Sequence, residues 1–141
     1  VLAAFTMTLA MGFIHGVGWA NADMVRAVGS IYTKKRENAF WPGAFIHHCA
    51  GGFFAVFYAI FAGIAPIASW KGVVLCTSML GIFHGLAVAV LMSVMVAEHH
   101  PLPEFREAGL DVMAAHLAGH VVYGFILGML FAVGQINLRL L

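Results

Sequence analysis

The stretch GVVLCTSMLGIFHGLAVAVLMSVMVA, Gly72 to Ala97, contains no Asp, Glu, Lys or Arg and exceeds the roughly 20 residues a helix needs to cross a hydrocarbon core. It decides the class of the fold. A continuous run rich in Ala, Leu, Met and Gly is not a barrel strand, which would alternate its faces over ~10 residues, and in lipid only a helix then satisfies its own backbone. Three further charge-free stretches accompany it: Val1 to Ala22, Asn38 to Trp70 and Val112 to Leu138. The chain is therefore expected to be all-α: an integral membrane four-helix bundle, up-down-up-down. It forms one transmembrane domain over residues 1–141, with helices at about 1–29, 39–65, 72–97 and 108–138.

Composition agrees. Hydrophobic residues make up 62% and charged residues 9%, against about 25% charged in soluble chains, and the mean hydropathy is +0.95. A net charge of +1, with Lys34-Lys35-Arg36 the one basic run, excludes a nucleic-acid partner, since phosphate binding needs a basic stripe. Cys49 and Cys76 lie in apolar stretches without a CxxCH motif, so attached c-type haem is excluded. Val1 is not an initiator Met, so the segment is expected to follow a further or processed portion.

Trp41-Pro42 marks an interfacial start for the second helix, Pro66 and Trp70 mark its end, and Pro101 and Pro103 break the chain before the last helix. Arg26, Lys34, Lys35, Arg36 and Arg106 fall on one side, Lys71 and Arg139 on the other. The positive-inside rule then places loops 1–2 and 3–4 in the cytoplasm, the membrane being a bacterial inner membrane.

The chain repeats itself. Gly12-Phe13-Ile14-His15-Gly16 returns as Gly81-Ile82-Phe83-His84-Gly85, and His48-Cys49-Ala50-Gly51 returns as His116-Leu117-Ala118-Gly119. His15 precedes His48 by 33 residues and His84 precedes His116 by 32. A duplicated two-helix hairpin, about 1–68 and 69–141, follows; two crossings per repeat leave both halves parallel, with a pseudo-two-fold axis along the membrane normal.

Six of eight histidines fall in expected helices: His15, His47, His48, His84, His116 and His120. An imidazole in hydrocarbon must find a hydrogen bond or a ligand. A lone one often just donates to a backbone carbonyl, but four at matching places in both halves point to paired sites. Facing imidazoles across a planar macrocycle are the arrangement of a b-type haem. His15 with His84 and His48 with His116 are the expected cofactor-binding pairs, one level roughly 20 Å in from the loops and the other roughly 10 Å. His47, turned about 100° from His48 and matched by Ala115, ranks below them. His116 and His120, one turn apart, have the spacing that can clamp a metal ion. Gly12, Gly16, Gly81 and Gly85 would clear space for a ring or, equally, allow close helix packing, as would Gly124 with Gly128. Glu98, His99, His100, Glu104 and Glu107 read as a solvated acidic loop, and Asp23 with Arg26 as an i, i+3 ion pair.

Walker, GxSxG, HExxH and intrahelical Glu-x-x-His patterns are absent, as are intramembrane carboxylates. An independent enzyme or an ion-coupled transporter has little to stand on. The Trp-led second helix and the closing His116-Leu117-Ala118-Gly119-His120-Val121-Val122-Tyr123-Gly124 resemble small four-helix bacterial membrane proteins, over helices 2 to 4; that resemblance implies no activity. The constellation of buried histidines is similar to that of b-type haem membrane anchors. The expected function is a membrane-embedded subunit of an electron-transfer or photosynthetic complex, in contact with lipid and other membrane subunits. It would bind haem b, or else a chlorophyll-type pigment. The alternatives are a cofactor-free accessory subunit and a Cu, Fe or Zn subunit using His116 and His120.

Overall fold

A computed structural model describes residues 1–65, 67 and 69–139, apart from the side chains of 95–97 and 135–139. Pro66, expected to help end the second helix, lies outside the described residues. All regular secondary structure among the described residues is helical, with no strand. The helices are α1 (Leu2–Gly16), α2 (Met24–Thr33), α3 (Phe40–Ile64), α4 (Trp70–Leu91) and α5 (Leu110–Arg139). α4 continues through a π-helical turn, Met92–Val96, into a short α-turn, Ala97–His99, and a 3-10 turn, Pro103–Phe105, precedes α5. Three helical stretches are long and apolar enough to cross a membrane: Phe40–Ile64, Trp70–Val94 and Leu110–Gly134.

The first expected helix, 1–29, is not continuous, and this corrects the reading of four equivalent crossings. α1 has 15 residues, roughly 22 Å against a core of ~30 Å, so it is a fourth apolar helix shorter than a span. The break has local causes. Gly18 takes φ +74°, open to glycine at no steric cost. Asp23 then caps α2, its carboxylate accepting from Arg26 N–H at 3.4 Å. α2 ends with Lys34 in the left-handed region.

Sequence spacing dictates which helices touch closely. α4 and α5 are antiparallel and pack backbone to backbone. A Cβ on Gly81 would meet the His120 carbonyl, one on Gly124 the Thr77 carbonyl, and one on Gly128 Val74 and the Thr77 hydroxyl. α2 crosses α3 just as closely at Gly29 and Gly43. α1 lies on α5, with Met7 and Met11 against Gly119, and Ala4 meets Gly51 of α3. The core gathers here, around Ala3, Ala4, Met7, Met11, Tyr58 and Tyr123. α3 touches α4 and α5 only sparsely, which leaves a cleft.

At the loop face the chain is clamped rather than loosely solvated. Arg36 bridges Asp23 and Glu104, each at 2.8 Å, and Asp23 also pairs with Arg26 at 3.2 Å. The hydrogen bond Arg36 donates to Glu104, then the charge of Asp23, raises the Arg36 pKa above its ordinary value against desolvation. Asn21 donates to the Glu104 carbonyl at 2.7 Å and Arg106 to the His100 carbonyl at 2.6 Å. His100 is 1% exposed: its Nδ1 accepts from Leu102 N–H at 3.1 Å, and its Nε2–H donates to the Ala27 carbonyl at 2.9 Å. Two members of the expected acidic loop are thus structural pins.

Candidate functional site

α3, α4 and α5 each turn a histidine-bearing face to the cleft. On α3 that face is His47, Gly51, Phe54 and Tyr58, on α4 it is His84, Val88 and Met92, and on α5 it is His116, His120 and Tyr123. All but Tyr58 line one cavity of about 160 Å³, otherwise apolar and open on one side. An apolar cavity of roughly 150 Å³ takes up benzene, so the enclosed space is that of one small ring.

His84 and His120 meet edge to face with centroids 4.5 Å apart, and His116 lies 6.5 Å from His120. His116 and His120 are each 6% exposed. His120 Nδ1–H donates to the His116 carbonyl at 2.8 Å, which fixes the tautomer and leaves Nε2 with a free lone pair. The same second-sphere bond orients histidines that ligate metals. His84 Nδ1 is 3.3 Å from the Tyr58 hydroxyl, and Phe54 stacks at 4.3 Å. Tyr123 donates its hydroxyl to the Gly51 carbonyl and meets Tyr58 edge to face at 5.5 Å, closing the cavity at its deep end. Two imidazole atoms of the cluster, His47 Nε2 and His116 Nδ1, are buried with no protein hydrogen-bond partner. Leaving such an atom unpaired costs about 1–3 kcal/mol, so both nitrogens are available to a ligand. Among the described residues no group of three or more His, Cys, Asp or Glu side chains is arranged to hold a metal ion.

The expected partners are distributed differently from their symmetry. His84 and His116 reach the cavity; His15 and His48 do not line it. His15 is next to last in α1, so its expected depth of roughly 20 Å disappears with the break at Gly16. It lines a separate cavity with Asp23 and Arg26, and its Nδ1 is buried there without a partner. His48 donates Nδ1–H to the Ala44 carbonyl at 2.8 Å, as a solitary helical histidine does. His47, ranked low, takes its place. Because Gly51 of α3 seats on Ala4 and below Tyr123, the residue one turn earlier on that face is His47, not His48. The signal was present in the sequence as the spacing of His47, Gly51, Phe54 and Tyr58, but repeat matching concealed it.

No protein-family model, curated protein or solved structure matches the chain.

Proposed function

We propose that this chain is a non-catalytic, membrane-embedded subunit that binds haem b or a similar macrocycle in the cleft between α3 and the α4–α5 pair. It would serve a larger electron-transfer or photosynthetic assembly. One observation carries the reading: four imidazoles from three helices converge on one partly open cavity, and two of them have ring nitrogens with no protein partner. His84 and His120 touch each other, so the residues that would hold the group are His47 of α3 and His84 or His116 of the α4–α5 pair. The donors suit the group. The enclosed volume takes only part of it, and the sparse packing of α3 against α4 and α5 is what would let the cleft admit the rest. Bound there, such a group supplies one-electron redox chemistry whose potential the histidines and the apolar walls set. In the same reading α1 completes a four-helix arrangement, the clamped loop face is cytoplasmic in a bacterial inner membrane, and exposed apolar faces meet lipid and partner subunits.

The absorption spectrum of the purified protein, before and after addition of hemin, tests the proposal. A Soret band that falls at least tenfold in His47→Ala and in one of His84→Ala and His116→Ala, but persists in His48→Ala, is expected. A pigment band instead would indicate a chlorophyll-type ligand. Featureless spectra with bound Cu, Fe or Zn would leave the metal reading on His116 and His120. Featureless spectra with neither would leave the cofactor-free accessory subunit.

A further inference from the structure

A second, smaller cavity of about 40 Å³ opens at the loop face beside Glu107 and Asn21 and runs inward past Phe105 and Val112. It shares four wall residues with the histidine cavity: Met24, Val28, Met92 and His116. The two spaces therefore meet at a partition of three apolar side chains and one imidazole. Below that partition Tyr58 and Tyr123, both buried, close the deep end.

We propose that the smaller cavity is a water inlet, through which water from the loop face reaches His116 and solvates the histidine cluster from that side. Its mouth is polar: Glu107 is exposed, and Asn21, which spends one amide hydrogen on the Glu104 carbonyl, keeps its own carbonyl oxygen free. Its inner end is His116, whose Nδ1 has no protein partner. A water needs roughly 10–15 Å³ of such space, which the cavity exceeds; Asn21 and Glu107 supply polar neighbours at its mouth and His116 one at its inner end. One of the four partition residues, Met92, opens the π-turn Met92–Val96. Such turns interrupt a helix mainly at functional positions, and Ser93 Oγ in this one is also buried without a partner. The inlet rests on the cofactor reading for its purpose, since it would hydrate that site, but the passage itself stands on the two adjoining cavities.

Hydroxyl-radical footprinting of the protein in lipid nanodiscs, with millisecond radiolysis and mass-spectrometric readout of methionine oxidation, tests this directly. Radicals form from water at the point of contact. Met92 and Met24 should be oxidised at least tenfold faster than Met79, which is 44% exposed on the outer, lipid-facing side of α4. Ala108→Phe, which plugs the mouth from the loop, should slow Met92 at least fivefold while leaving modification of exposed Tyr32 unchanged. Met92 reacting no faster than Met79, or reacting fast and indifferent to the plug, would overturn the inlet. The wild-type comparison needs no variant to fold. Fast, plug-sensitive Met92 in a protein that takes up no hemin would remove the cofactor reading and keep the inlet; hemin uptake with slow Met92 would do the reverse.

Discussion

The two copies of Gly-x-x-His-Gly have opposite fates. In α4, Gly81 lies against the His120 carbonyl and Gly85 against His120 Cβ and Leu117, so the motif is the floor of a helix–helix contact and His84 is delivered into the cleft. In α1, a Cβ added at Gly12 or Gly16 would meet nothing within 4 Å, and His15 stands at a helix end beside Asp23 and Arg26. Identical small residues thus do not declare their use. A glycine pair makes an interface only where the facing helix also presents backbone, as α5 does with Gly124 and Gly128.

Substitutions can break or sharpen that contrast. The largest effect is expected from Gly81→Ala combined with Gly124→Ala, whose methyl groups would strike backbone carbonyls of the partner helix. Forced separation costs about 1–3 kcal/mol per site or more, read as a lower unfolding midpoint in detergent, and a pair that left the midpoint unchanged would refute the close packing. Next, His84→Ala combined with His116→Ala should weaken hemin binding at least tenfold while His15→Ala leaves it intact; an equal loss in His15→Ala would restore the symmetric pairing of His15 with His84. Tyr123→Phe removes the hydrogen bond to the Gly51 carbonyl and should lower stability by about 1 kcal/mol, with α3 reporting the change through faster amide exchange near Gly51. Arg36→Gln releases Glu104 and Asp23. For a half-exposed pair this is worth roughly 0.2–1 kcal/mol, and it should show as quicker proteolysis between residues 100 and 106, strongest in low salt and converging with wild type in high salt. The smallest effect is expected from Gly12→Ala, which should be neutral or raise the midpoint by up to about 1 kcal/mol through helix propensity. Destabilisation there would mean that the α1 face is packed after all.

Much of the architecture was legible because bilayer thickness converts directly into run length. The long stretches around His48, His84 and His116 appear as helices long enough to span, and Asp23 pairs with Arg26 as their spacing requires. The break after Gly16 was less legible: no charge interrupts Val1 to Ala22, and Gly18 acts through a backbone angle that hydropathy does not register. The site was legible by half. His84, His116 and His120 stood out as intramembrane imidazoles, whereas the repeat favoured His15 and His48 over His47. Helical phase at a contact depends on which neighbour seats first, here Ala4 on Gly51, and that neighbour is 47 residues away.

By itself the sequence determined that the chain is helical, apolar enough to enter a membrane and furnished with imidazoles that hydrocarbon would not tolerate alone; these follow from one-dimensional quantities, run length and solvation. Only the tertiary structure decided which imidazoles share a space, that α3 stands off from the α4–α5 pair, and that the loop-face cavity adjoins the cluster at His116. Those depend on rotation and contact between distant helices, where a few ångströms of backbone approach at a glycine select the face that turns inward.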